Sequence, residues 1–468
     1  MSWKGEASAL EEAQVYEGCE DFLNLRTLSR IDAIQDAFQK HRLRYCLIDH
    51  LLQQRLMPHE NELRTWQSGA SAEVDKEKVY FNEIIPWCQK SSTYEKRRVL
   101  EKETSGLCKF LSPFALNCWE VLLNLLHDEL GVENYVDYCR QKKNIDYSHY
   151  YKLLRRLLSE TDELYWSAMD RWSRKRFKRP LKALSRFDGM NLLSLSEFDT
   201  LVPAGAFVKS MSFFRRWQMD LDHIPGLHLE IGNDGAQSTQ ALCLVLKAPE
   251  EVYVLMRPEG GWIDIETLWH ELGHGLSAVF TSPSLSVVER EMATSSSLSE
   301  AFAFLVQNIV LSAPFLQEYI GLDSADSTTI VHYKVLRDLA VFRRYAAKFL
   351  IEYEMFTMGD ISNGDRYTEK MNRYTGFYYQ PESHLFDLTP EFYSLDYILG
   401  WMTEAILETY LDDRMGHSWM FDGQTGSILR HWWHQGNRLD IAGFLEHNDL
   451  GTLSHDHLLR RWRTVLKA

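Results

Sequence analysis

Apolar positions recur at spacings of three and four along most of this chain, the repeat that lines one face of an α-helix. Leu28-Ser-Arg-Ile-Asp-Ala-Ile-Gln-Asp-Ala-Phe38 and Trp119-Glu-Val-Leu-Leu-Asn-Leu-Leu126 carry it, and residues 1 to about 180 read as almost wholly helical. Pro180 and Gly189 punctuate the end of that region. The texture then changes. Gly226 to Gly235 is loop-like, and Ala241-Leu-Cys-Leu-Val-Leu246 and Val252-Tyr-Val-Leu-Met256 read as short strands joined through Lys247-Ala-Pro-Glu-Glu251. Gly260-Gly261 ends the second strand, Asp264 or a neighbour starts a helix, and the remainder is again helical. The expected architecture is mainly α, with one small β-sheet beside that helix and a division into residues 1–190 and 191–468.

Composition narrows the class. A chain of 468 residues, 45% of them hydrophobic, has enough apolar surface for two or three packed lobes. A net charge of −15 repels nucleic acid. The one basic run, Arg171 to Arg186, reads as a solvated helix face or a connection between lobes. Ala301 to Leu316 is the most apolar stretch, but Gln307, Asn308 and Pro314 interrupt it, so no membrane partner is expected. The opening Met1-Ser-Trp-Lys-Gly-Glu6 has no apolar signal core, and the seven cysteines include no Cys-x-x-Cys pair. Both features point to reduced thiols and a cytoplasmic location.

The chemistry concentrates in His270-Glu-Leu-Gly-His274. Helical residues four apart share a face, so both imidazoles can aim at one point about 2 Å from each ring. Glu271, on the edge of that face, can reach a water held there. This is the His-Glu-x-x-His pattern of zinc hydrolases. A catalytic zinc takes three protein ligands and keeps one position open, so a third ligand is required. Glu300, which opens the apolar run Ala301-Phe-Ala-Phe-Leu305, is the candidate. It also completes Ser297-x-x-Glu300, a capping box in which the Glu would merely bond its own helix's first amide. Glu266, one turn before His270, reads either as a support for a histidine ring or as an exposed helix carboxylate. Gly273 costs its helix roughly 1 kcal/mol relative to Ala, so close approach of another segment or of substrate must require the missing side chain. The expected cofactor is one Zn²⁺ per chain, held by His270, His274 and Glu300.

Thr267-Leu-Trp-His-Glu-Leu-Gly-His274 resembles the active-site helix of the M3 oligopeptidases, the thimet oligopeptidase and oligoendopeptidase F group. Gln237-Ser-Thr-Gln-Ala-Leu-Cys243 with Val252-Tyr-Val-Leu255 is similar to the strand pair preceding that helix. Phe392-Tyr-Ser-Leu-Asp-Tyr-Ile-Leu-Gly400 is similar to their F-Y-x-x-x-Y-x-x-G segment, and M32 carboxypeptidases carry a comparable one. The resemblance implies a two-lobed, helical, gluzincin-type metallopeptidase with a deep substrate channel. It also implies that Tyr393 and Tyr397 hydrogen-bond the substrate carbonyl as it becomes an oxyanion, and that His384 binds substrate. Without it, two tyrosines four apart read as packing residues. The chain departs from the family at Ser277, where a His is common, and at Ala301-Phe302, where Pro-Ser is common. Asp387 or Leu388 occupies the place of a histidine ahead of the tyrosines.

The implied activity is hydrolysis of peptide bonds in short, unfolded oligopeptides. Zinc would acidify its bound water and polarise the scissile carbonyl, while Glu271 takes the proton and passes it to the departing amine. The peptide would pair with the edge of the small sheet, along residues 241–246 or 252–256. Two other readings stand beside this one. An M32-like metallocarboxypeptidase needs a cation for the terminal carboxylate, with Arg343 and Arg344 to be placed. A non-catalytic helical protein could bind peptides on the same fold. The expected state is a monomer or small homo-oligomer.

Overall fold

A computed structural model describes residues 19, 22–90, 93–232 and 241–467. Met1 to Glu6 and Gln237 to Gln240 lie outside the described residues. The three-and-four repeat produces helices α1 (Ala37–Gly69), α2 (Tyr94–Asp128), α3 (Tyr135–Lys143), α4 (Tyr147–Glu160) and α5 (Asp162–Phe177). Their starts are written in short polar residues. The side chains of Asp36, Thr93, Asn134 and Asp146 accept from the amides of Gln39, Lys96, Asp137 and His149, satisfying donors the helix itself cannot. Asp36 thereby splits the periodic run 28–38, which continues from a separate short helix, Leu25–Asp32.

One hairpin interrupts this helical region. β1 (Ser71–Val74) and β2 (Glu77–Tyr80) pair antiparallel, and Ala72, Val74 and Val79 join Leu100 and Phe187 in the core. Its two turn residues, Asp75 (φ 51°) and Lys76 (φ 70°), are left-handed without being glycine, so the usual hairpin signal is missing.

The second sheet contains β3 (Leu227–Ile231), β4 (Leu242–Lys247) and β5 (Glu251–Met256). β3 lies in the stretch expected to be a loop. β5 is central, parallel to β3 and antiparallel to β4, so among the described residues the sheet's free edges belong to β3 and β4. The chain continues through α6 (Trp262–Val279), α7 (Ser297–Gln307), α8 (Ser324–Met358), α9 (Asp365–Thr375), α10 (Tyr393–Met415) and α11 (Gly423–Trp433). Mainly helical with a small sheet against α6, the architecture is the expected one.

The described residues fall into two compact units. One contains the chain through Ser194 together with Leu339–Leu395; the other contains Leu195–Asp338 and the chain from Asp396 onward. The segment 339–395 thus returns to the first unit, which a single cut after residue 190 does not provide for.

Within the second unit, α6 is pressed between the sheet and α7. A Cβ on Gly275 would lie 2.9 Å from Val254 Cγ2, and one on Gly273 only 2.5 Å from Ala303 Cα and 3.0 Å from the Phe302 carbonyl oxygen. Gly400 of α10 meets α7 in the same way, its Cβ position 2.6 Å from Glu300 Cβ. Gly273→Ala therefore sets two effects against each other. Helix propensity favours Ala by roughly 1 kcal/mol, whereas a methyl group driven into a neighbouring backbone costs about 1–3 kcal/mol or more. The expected outcome in a urea melt is net destabilisation; a stabilised variant would show that α6 and α7 separate at no cost.

Candidate active site

His270 and His274 leave the same face of α6, and their Nε2 atoms are 3.2 Å apart. Glu300, in the first turn of α7, places a carboxylate oxygen 3.5 Å from His270 Nε2 and the other 3.8 Å from His274 Nε2. Two nitrogens each 2.0–2.1 Å from one tetrahedral ion lie about 3.3 Å apart, so the imidazole spacing fits a shared metal.

The remaining ring atoms are pinned. His270 Nδ1 donates to Gln307 Oε1 at 2.9 Å, which leaves Nε2 as a lone-pair donor to a cation. His274 Nδ1 meets Ser299 Oγ at 2.8 Å. Burial keeps both rings neutral. It pushes His270 down to about 4, against the Gln307 bond, and His274 down to about 3, with His270 adding to the effect. Neutral imidazoles are the form that binds metal.

The Ser297–Glu300 capping box does not form, since the Glu300 amide donates to the Ser296 carbonyl at 2.9 Å. The N-cap residue of α7 is Ser296, with no side-chain cap bond, and Ser297 Oγ donates instead to Asp396 Oδ1 at 3.1 Å. Ser295 Oγ donates to the same oxygen, also at 3.1 Å. These bonds hold the start of α7 against α10 and leave Glu300 facing the histidines. Glu271 points toward the sheet. Burial raises its carboxyl to about 7, opposed by a hydrogen bond from the Cys243 amide of β4. A carboxyl poised there can accept and return a proton near neutral pH.

Tyr397 sits beside this group, its ring centroid 6.3 Å from that of His270, packed on Phe304 (4.7 Å) and Trp401 (5.5 Å). Glu266 follows neither expectation. It is buried and forms a two-pronged ion pair with Arg337, at 2.7 and 2.6 Å. Ser277 Oγ bonds back to the His274 carbonyl.

The other expected residues lie in the first unit. Tyr393 opens α10 after two left-handed residues, Glu391 (φ 54°) and Phe392 (φ 53°). His384 is buried, with Nδ1 2.7 Å from the Pro381 carbonyl oxygen and Nε2 3.0 Å from that of Ile361. Both nitrogens are spent on backbone. Arg343 is likewise consumed, by Leu158 and Tyr374 carbonyls, Thr161 and Asp162. Arg344 pairs with Asp387, which also accepts from Tyr367 Oη at 2.9 Å and lies 3.7 Å from Lys348 Nζ.

Gln307, Ser299, Asp396 and the Cys243 amide escaped sequence reading. Only Gln307 left a signal, as a polar break two turns beyond Glu300 on an apolar helix. The others act through contacts no local pattern encodes.

No protein-family model and no curated relative matches this sequence. Solved structures match by fold. PZ peptidase A with inhibitor 2 superposes with a TM-score of 0.67 at 11% identity, covering 98% of this chain and 86% of that one. A protein described as a "putative oligoendopeptidase F" from Bacillus anthracis str. Ames gives 0.62 at 15% identity, covering 98% and 85%. A "putative peptidase" from Chlamydophila abortus gives 0.60 at 12%, covering 94% and 81%. The chain has the mainly helical fold of these peptidases over nearly its whole length. One of them carries the name oligoendopeptidase F, which belongs to the group that the His270–His274 segment resembles.

The segment before Tyr393 yields a test of its own. Burial pushes the Asp387 carboxyl up, but Arg344, then Lys348 and Arg186, outweigh it and hold the group below the usual carboxylate range. A depressed folded pKa contributes stability that is present above the unfolded value and lost as pH falls through the folded one. Asp387→Asn is expected to cost about 3 kcal/mol at pH 7 and progressively less toward pH 3, in urea melts across that range. An equal cost at both ends would mean the pairing contributes nothing.

Proposed function

We propose that this chain is a zinc-dependent peptidase that cuts within short, unfolded oligopeptides. The observation that carries the reading is the convergence of two neutral imidazoles and the Glu300 carboxylate at ligand spacing, beside a carboxyl held near neutrality. The fold shared with structures named oligoendopeptidase F and PZ peptidase A supports peptides as the substrate class.

When bound, the ion supplies Lewis acidity, polarising a carbonyl and acidifying water. His270, His274 and Glu300 would hold it, with Gln307 and Ser299 fixing the direction of the two rings. Glu271 takes a proton at its carboxylate and returns it to the leaving amine. Tyr397, and Tyr393 by the family resemblance, donate hydroxyl hydrogen bonds to the carbonyl oxygen as charge develops. An extended peptide pairs along β4, whose neighbour β5 is occupied on both sides and offers no edge.

The endopeptidase reading is favoured over a carboxypeptidase because both arginines considered for a terminal carboxylate are already engaged. No helix among the described residues is long and apolar enough to cross a membrane. A cytoplasmic monomer or small homo-oligomer without nucleic-acid partners completes the proposal.

Elemental analysis beside a peptide-library digest, with and without chelator, is the direct test. Zinc near one per chain and chelator-sensitive cleavage of a C-terminally amidated peptide are expected; metal-free, inert protein would leave a peptide-binding role. Glu271→Gln should retain the metal and lose hydrolysis by about 10²–10⁴-fold, and a fully active variant removes Glu271 as the base. Gln307→Leu should weaken metal affinity by roughly 10–100-fold in chelator competition.

A further inference from the structure

Glu391 (φ 54°, ψ 31°) and Phe392 (φ 53°) are consecutive side-chain-bearing residues in left-handed backbone, immediately before Tyr393. Cβ crowding disfavours that conformation, and neither residue is glycine or asparagine. Strained backbone of this kind persists only where its surroundings over-determine it. Here they do. The Glu391 amide donates to Tyr135 Oη at 2.7 Å, and its carbonyl oxygen accepts from Lys143 Nζ at 2.6 Å. Its carboxylate accepts from Lys142 Nζ at 2.6 Å, and Lys142 also reaches Asp49 Oδ1 at 2.6 Å.

Lys142 and Lys143 are adjacent on α3, only 4% and 7% exposed. Burying two ammonium groups carries a desolvation cost that a mere chain connection does not require. Glu352 of α8 grips the turn from both flanks. One of its oxygens accepts from the Thr389 amide at 2.9 Å and from Thr389 Oγ1 at 3.1 Å, and the other accepts from Ser394 Oγ. The Phe392 ring is packed among Tyr147 (4.7 Å), Phe356 (5.7 Å), Phe349 and Tyr135 (both 5.9 Å).

We propose that Lys143 and Glu352 are positioning residues for Tyr393. By holding Glu391–Phe392 in the left-handed turn, they set the direction in which α10 begins and Tyr393 projects. The catalytic consequence rests on the proposed role of Tyr393 in peptide hydrolysis; the clamp itself does not.

The test places 3-fluorotyrosine at position 393 of the full chain and records its ¹⁹F resonance, which needs neither metal nor turnover. Wild type should give one narrow line, and Lys143→Met should move or split it. Adding Glu391→Gly to Lys143→Met should restore the line, because glycine takes left-handed backbone without steric cost. A merely structural lysine would not be rescued in this way. An unchanged line in folded Lys143→Met, or a failure of glycine to restore it, overturns the proposal. If Lys143→Met does not fold, Glu352→Gln decides: a displaced line upholds the clamp and an unchanged one refutes it.

In peptide assays Lys143→Met should lower kcat by about ten- to a hundredfold with little change in KM. That loss should vanish in a Tyr393→Phe background. Wild-type protein that cuts no peptide, or a fully active Tyr393→Phe, would sink the catalytic role of Tyr393 and leave the clamp to be judged by the resonance.

Discussion

The candidate site depends on two helices approaching backbone to backbone. α6 and α7 meet where Gly273 faces Ala303, so closely that the smallest side chain at Gly273 would collide with main-chain atoms. Glu300 lies in the first turn of the same helix, one turn before Ala303, and this approach leaves its carboxylate 3.5 Å from His270. α10 repeats the device through Gly400, which lies over Glu300 itself. Three helices without intervening side chains hold their functional groups more narrowly than loops would. The spacing of the two imidazoles and the carboxylate is thus a property of backbone packing.

Burial then acts on each group according to its charge. The low-dielectric surroundings that hold His270 and His274 neutral also raise the Glu271 carboxyl toward neutral pH, because desolvation disfavours whichever form is charged. One environment therefore yields both lone-pair donors and a proton carrier. Buried charges nearby are paired with one another. Glu266 and Arg337 pair beneath α6, Arg337 continues to Asp338, and Asp338 to Lys334, which bonds Asn308 next to Gln307. Each member of this chain satisfies its neighbour, as buried ionic groups require. Together they tie α6, α7 and the first turns of α8 into one block.

Legibility in the sequence followed the range of the interaction. α6, with its two histidines on one face, was readable because four-residue spacing and a glycine-marked start are local properties. β4 and β5 were readable from short apolar runs between turn residues. β3 was not: Leu227-His-Leu-Glu-Ile231 alternates, but it is short, follows a glycine and has its partner β5 beyond β4. The β1–β2 turn lacked any glycine to announce it. Ser297-x-x-Glu300 was ambiguous for a different reason, since the same spacing serves a cap or a ligand. Asp396, which claims the serine, lies far along the chain.

By itself, the sequence determined which residues share a helix face, where most helices begin and that residues 270–274 carry the candidate ligand pattern, because these follow from covalent spacing and local backbone preference. Only the tertiary structure decided that Glu300 faces the histidines, that Glu266 serves Arg337, that β4 rather than β5 offers an edge, and that His384 is spent on carbonyls. Each of those outcomes is a competition between partners distant in sequence, and packing alone brings the winner within hydrogen-bonding reach.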